Sequence, residues 1–329
     1  MKILHVLITR KSLPPLKYGG TQRVVWSLSK AQEAMGHEIR FLWGAAKVLP
    51  PNASVYRKDR PMDAQIGDRP DVVHFHYPFG DELHKPFLCT EHFNSPVERR
   101  YPLNTVFVSK KHAKNFGAEC FVHNGLDWAR YGQPNLTDPG EYFHFIGKTR
   151  LPFKNLDGAI RISKAADVRL RVLGGHRLDV SRKYGLRFET ARHIRFCGTV
   201  GGAKKHALIR NSSGLIAPVR WHEPFGLVFI ESLYLGTPVF STPYGALPEI
   251  VQSPKIGVLS ADSEALIDGV RRVADFDRRR CHELAKTQFG AERMAKDYQR
   301  CYERVVSGET LNTRAPYTNG ELLELLPFD

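Results

Sequence analysis

The chain has 329 residues, 42% of them hydrophobic, and its 48 basic against 34 acidic side chains give a formal charge of +14. That length suits two ordinary domains, and no apolar run approaches the ~20 residues of a membrane span. Five scattered cysteines (Cys89, Cys120, Cys197, Cys281, Cys301), none in a C-x-x-C pair, argue against a disulfide-framed secreted fold and for reduced thiols.

The basicity is not a tail, because residues 1–135 and 136–329 carry +7 each. It suits an anionic partner such as a nucleotide or a phospholipid surface, and equally a solvated basic exterior. The opening MKILHVLITR has no small-residue cleavage site, and Arg10-Lys11 cuts its apolar run short, so it reads as a buried strand and not as a leader. Short β-branched runs then recur at 38–43, 72–77, 87–90, 105–109 and 120–124. Between the first two, TQRVVWSLSKAQEAMG has helical spacing and ends on Gly36, a C-cap residue.

Gly, Pro, Asn and Asp crowd into DWARYGQPNLTDPGE (127–141), as in a linker. Strand–helix alternation restarts with YFHFIG, RLRVLG, IRFCG, GLIAPV and PVFST, and after residue 262 the pattern is helical. The expectation is an α/β chain of two doubly wound parallel sheets. Its boundaries are an N-terminal domain at 1–135, a second at 136–305, and a tail at 306–329 that packs back on the first.

Chemistry collects where strands end. Gly19-Gly20 precede a helix and let backbone N–H groups approach an anion, although the stretch is neither G-x-G-x-x-G nor a P-loop. In FIGKTRLPFKNLDGAI, Lys148, Arg150 and Lys154 sit at a strand-to-helix junction suited to a diphosphate. In HEPFGLVFIES, Pro224 suits a first helical turn, and the amides of Phe225, Gly226 and Leu227 then lie at the positive end of the helix. Glu223 and Glu231 would be roughly 12 Å apart along that axis, comparable to a sugar–diphosphate–ribose span. Glu231 also sits amid Phe229, Ile230 and Leu233, so it needs a partner if it is buried.

These residues resemble retaining glycosyltransferases of family 4, which have the GT-B fold. The signature is E-P-F-G-L-x-x-x-E followed by G-T-P-V and P-E-I-V, with GGTQRVV, HNGLD, G-K-x-R…K-N and Thr242…Gly245 in the same order, over about residues 1–260. PPLKYGGT and WHEPFGLV are similar to one group of that family that uses nucleotide-activated sugars. The resemblance implies two Rossmann-like domains facing across a cleft, with a helical C-terminus. It implies a metal-independent transfer from a nucleotide-sugar, a UDP-sugar first, to a sugar, lipid-linked or small-molecule acceptor. No further cofactor is implied. The setting would be bacterial glycan or glycolipid assembly in the cytoplasm, at the inner face of an anionic membrane. By position, Glu231 would hold the ribose and Glu223 would lie by the sugar ring. Gly19, Gly20, Lys148, Arg150 and Lys154 would hold the diphosphate, with the amides after Pro224, and His92 would be the active-site histidine.

The basic segment is one residue longer than the family's, so Lys148 and Arg150 compete for one arginine role, and Gly245-Ala246 stands where the family has Gly-Gly. A GT-B epimerase and a non-catalytic nucleotide-sugar binder are the alternatives. Nucleic-acid binding rests on charge alone and has no aromatic–basic motif behind it. His74-x-His76 puts two imidazoles on one strand face without a defined ligand spacing, so no metal site is assigned. Asp275-x-Asp277 lies in a basic helical context and reads as structural, and no G-x-S-x-G elbow is present.

Overall fold

The structure, a computed structural model, describes residues 1–15, 19–137, 139–176 and 192–329. Leu16, Lys17 and Tyr18 of PPLKYGGT and Asp138 of the expected linker lie outside that set. The chain divides into two units, Met1–Asp127 with Phe289–Leu322, and Trp128–Gln288 with Leu323–Asp329.

In the first unit, β1 (Lys2–Leu7), β2 (Glu38–Trp43), β3 (Ala53–Val55), β4 (Val72–Phe75), β5 (Phe87–Glu91) and β7 (Thr105–Phe107) form one parallel sheet in the order β3-β2-β1-β4-β5-β7. Near-continuous apolar burial along β1, β4 and β7 is what a sheet covered on both faces requires. The Gly20–Ala34 helix ends with Gly36 at φ 86°, the left-handed stop expected there. Arg99–Arg100 (β6) pairs antiparallel with Tyr317–Thr318 (β14).

In the second unit, β8 (Tyr142–Ile146), β9 (Arg169–Leu173), β10 (Ile194–Phe196), β11 (Leu215–Ala217), β12 (Val239–Ser241) and β13 (Gly257–Leu259) pair in the order β10-β9-β8-β11-β12-β13. Both sheets therefore reverse direction of growth beside their first strand, at β1/β4 and at β8/β11. In sheets of this kind ligands bind beyond the carboxyl ends of the strands at that point. No helix among the described residues is long and apolar enough to cross a membrane.

The structure corrects several expectations. CFVHN is not a strand: Phe121 makes one isolated bridge to Phe107, and the chain then leaves the sheet. The unit boundary falls at Asp127/Trp128, not at 135. The Ala291–Val306 helix, expected in the second domain, belongs to the first unit, where it packs on the Gly20–Ala34 helix. Its amphipathic pattern announced a buried face but not which sheet would cover it. The tail is shared. Residues 306–322 stay with the first unit and Leu323–Asp329 with the second, where Phe328 enters the core beside Leu156 and Ile160.

Candidate active site

In the second unit, sheet order brings two loops side by side, because β8 and β11 are neighbours. After β8 the chain runs through Gly147 and Lys148 to a short 3-10 turn at Pro152–Lys154. Asn155 then takes a left-handed conformation, φ 54°, and caps the Leu156–Ala165 helix by accepting from the Gly158 amide at 3.1 Å. Its Nδ2 donates to the Pro218 carbonyl at 2.8 Å, and the Arg220 amide donates to the Phe153 carbonyl at 2.8 Å. The two loops are thus tied on both sides of Lys154, by the Phe153 carbonyl before it and the Asn155 side-chain amide after it.

That frame delivers Lys154 to Glu223, with Nζ 2.5 Å from Oε2. Trp221 donates its indole N–H to the same oxygen at 2.9 Å and stacks on Phe153 at 4.2 Å between centroids. Lys154 Nζ also lies 4.8 Å from the Trp221 ring centroid, a cation–π distance. Glu223 is only 7% exposed, so its charge is held by an ammonium and an indole and not by water.

Gly245 fixes the other side. It sits at φ 64°, and a Cβ there would lie 2.2 Å from the Glu223 carbonyl oxygen. The Ala246 amide donates to that oxygen at 2.9 Å. The loop after β12 can therefore grip Glu223 only with glycine at 245. Thr242 adds a hydroxyl bond to the Val219 carbonyl at 2.5 Å.

The helix after Glu223 begins at Leu227, not at Pro224. Gly226 is its cap residue, at φ 97°, and that left-handed turn keeps Pro224 and Phe225 in the loop. The expectation of a helix opening at Pro224 is therefore corrected: Glu223 stands before it as expected, but a non-helical turn separates it from Glu231. Phe225, 2% exposed, is a packing residue, while the first-turn amides from Leu227 onward remain at the helix's positive end.

Glu231 is fully buried and has the partner its setting demanded. Lys205 donates to Oε1 at 2.5 Å and the Tyr131 hydroxyl donates to the same oxygen at 2.6 Å. Lys205 lies on the Gly202–Arg210 helix, and Tyr131 stacks on His206. Sequence reading missed Lys205, Tyr131 and the role of Trp221. A lysine in the first turn of a basic helix carries no sign of burial. Lys148 and Arg150 flank buried Thr149 with exposed side chains. Gly175 packs on that threonine, since a Cβ at 175 would lie 2.0 Å from its hydroxyl.

In the first unit, Gly19 precedes and Gly20 opens the helix after β1, with the Arg23 amide bonded to the Gly19 carbonyl at 3.1 Å. His92 follows β5, and its Nε2 lies 3.3 Å from His76 Nδ1. Burial lowers its pKa to about 3. Its neighbour Glu91 is buried and its carboxyl is pushed up to about 7, mainly by desolvation, with the Phe93 amide opposing.

Residues 133–288 match the family model of glycosyl transferases group 1. A phosphatidyl-myo-inositol mannosyltransferase of Mycobacterium tuberculosis is 26% identical over 87% of this chain and 93% of its own length. Among solved structures, AviGT4, a glycosyltransferase of avilamycin A biosynthesis, superposes with TM-score 0.76 at 24% identity, covering 95% of this chain and all of that one. Anabaena Alr3699/HepE, solved with UDP and glucose, gives 0.67 at 15% identity over 92% of this chain and 99% of its own. The doubly wound sheets, the group 1 match over residues 133–288 and a relative aligned along nearly its whole length agree: the chain is a glycosyltransferase of the GT-B fold, similar in its second unit to glycosyl transferases group 1.

Proposed function

We propose that this glycosyltransferase moves a sugar from a nucleotide-diphosphate donor, a UDP-sugar first, to an acceptor hydroxyl, with retention of configuration and without a bound metal. The observation that carries the reading is the Lys154–Glu223 pair at the junction of the β8 and β11 loops. An arriving diphosphate competes with Glu223 for Lys154. Lys148, Arg150 and the amides from Leu227 add positive charge where the leaving phosphate becomes more negative, which lowers the barrier electrostatically. These cations supply the charge that a metal supplies in other transferases.

Glu223 is already paired with an ammonium and an indole, so it is a poor covalent nucleophile. The departing phosphate oxygen then takes the acceptor's proton as the bond from the anomeric carbon to phosphate breaks and the bond to the acceptor oxygen forms on the same face. Glu223 is assigned to sugar hydroxyls, Glu231 to the ribose, and His92 to the transferred sugar. Support for UDP comes from HepE, solved with UDP and glucose, and support for a glycolipid acceptor from the mannosyltransferase relative. With a charge of +14, peripheral contact with an anionic membrane on its cytoplasmic side suits such an acceptor, and nucleic acid is not a proposed partner.

The test is a thermal-shift panel of UDP-, GDP-, ADP- and dTDP-sugars, followed by NMR of the product's anomeric proton and an assay in EDTA. A UDP-sugar is expected to raise the melting point most, with retained configuration and turnover undiminished by EDTA. No shift with any of the four donors would sink the reading.

A further inference from the structure

The first unit's sheet carries a line of polar side chains that the donor-site chemistry leaves unused. Parallel pairing sets His5 of β1 beside His74 of β4, and His76, two residues on, faces the same side. The three are 0%, 0% and 4% exposed, and their ring nitrogens come within 4.8 Å of one another. That spacing raises a metal site, but all six nitrogens already have hydrogen-bond partners.

The bonds form one chain. His92 Nε2 meets His76 Nδ1 at 3.3 Å, and His76 Nε2 meets His5 Nδ1 at 3.0 Å. His5 Nε2 meets Gln32 Oε1 at 2.8 Å, and Gln32 Nε2 meets the Tyr302 hydroxyl at 2.9 Å. That hydroxyl meets His74 Nδ1 at 2.8 Å, His74 Nε2 meets Thr90 Oγ1 at 2.7 Å, and Thr90 Oγ1 meets the Tyr298 hydroxyl at 2.9 Å.

Gln32 sets the direction. An amide oxygen only accepts and an amide nitrogen only donates, so His5 must donate from Nε2. Burial keeps these rings neutral, with one N–H each: His5 is lowered to about 4, and His74 and His76 well below their ordinary value. With its one N–H on Nε2, His5 accepts at Nδ1, and His76 must donate from Nε2. His76 then accepts at Nδ1, and His92 must donate from Nε2. On the other side, Tyr302 accepts from Gln32 and donates to His74 Nδ1, so His74 donates from Nε2 to Thr90. Every bond points the same way.

We propose that these eight side chains form a one-way hydrogen-bond wire, polarised by the Gln32 amide, that holds His92 as the Nε2–H tautomer with Nδ1 as a bare acceptor. Nδ1 of His92 has no protein partner among the described residues. It is the atom left to accept from a substrate hydroxyl. Reversing one amide, far from His92 in sequence, would reverse the wire and turn that acceptor into a donor. Gln32, His5 and His76 are thus positioning residues. Their link to catalysis rests on the proposed role of His92, while the wire itself does not.

The test is NMR of the full chain with 15N-labelled histidine, which reads the protonated nitrogen of each ring directly. The parent protein is expected to show His92, His76, His5 and His74 all as Nε2–H. Gln32→Met removes the acceptor for His5. It is expected to give His92 a mixture of tautomers and to lower kcat on the order of tenfold, with the donor KM little changed. Ionised, Gln32→Glu only accepts, as the Gln32 oxygen does towards His5, so it is expected to restore the single His92 tautomer and the turnover. A merely structural role for Gln32 would move the melting point without moving the tautomer.

A parent His92 protonated on Nδ1, or an unchanged tautomer in Gln32→Met, overturns the wire. So does loss of the His5 and His76 N–H signals on adding stoichiometric ZnCl2, which would make the trio a metal site. Should Gln32→Met not fold, the parent and Gln32→Glu spectra decide. A redistributed tautomer with undiminished turnover supports the wire and overturns the role of His92.

Discussion

Lys154 Nζ lies 2.5 Å from Glu223 Oε2, and the Trp221 indole shares that oxygen at 2.9 Å. Two residues to which the family resemblance gives separate roles, one for phosphate and one for sugar, form a single charged pair. Lys154→Ala is expected to cut turnover by about 100-fold or more, the scale of losing one transition-state donor. Glu223→Gln keeps an acceptor for Trp221 and releases Lys154, so its loss should be smaller. Near-native steady-state turnover in Lys154→Ala would contradict the phosphate role.

Glu231 is fully buried and Lys205 is 9% exposed, so each depends on the other. Lys205→Met leaves a buried carboxylate short of its cation, which costs about 3–5 kcal/mol in comparable buried pairs. Urea unfolding should show the double variant Lys205→Met/Glu231→Gln less destabilised than the sum of the single variants. Glu231→Ala should raise the donor KM more than it lowers kcat.

Gly245→Ala places a methyl 2.2 Å from the Glu223 carbonyl oxygen at a φ of 64°. The backbone strain alone costs roughly 1–2 kcal/mol, and relief of the clash must move Glu223. The expected signature is a kcat loss out of proportion to the fall in melting point. A variant with parental kcat would show that the grip on Glu223 is dispensable.

Acid should weaken the first unit. His5 titrates near about 4 and His92 and His112 near about 3 in the folded chain, with His74 and His76 also lowered, against 6.5 for an ordinary histidine. The unfolded chain therefore takes up protons below about pH 6.5 that the native rings refuse, and stability falls as pH drops through that range. Glu91 opposes this. Its folded value of about 7 against 4.5 favours the native state as pH falls between those two values. Five rings outweigh one carboxyl, so the urea midpoint should drop from about pH 7 to about pH 5. It should drop more steeply in Glu91→Gln, and a flat profile would refute the burial of neutral histidines.

Most strands were legible because a parallel sheet covered on both faces demands continuous apolar runs, and KILHVL or YFHFI can serve little else. Ala53–Val55 and Gly257–Leu259 were not, because three residues at a sheet edge carry too little pattern. CFVHN carried the pattern of a strand and did not become one, since pairing needs a neighbour along its whole length. The Ala291–Val306 helix showed its buried face but not its host, and residues 323–329 gave no sign of joining a core.

The sequence by itself determined the two doubly wound sheets, the loops at their carboxyl ends, and the acids and lysines proposed for the donor chemistry. Local periodicity and a short conformation-demanding motif are properties of neighbouring residues, so they survive in one dimension. Only the tertiary structure decided that Lys154 reaches Glu223, that Lys205 and Tyr131 hold Glu231, and that Gln32 orients a line of histidines ending at His92. Those contacts join side chains from separate elements, and the order of strands in each sheet, which no local pattern encodes, is what makes them neighbours.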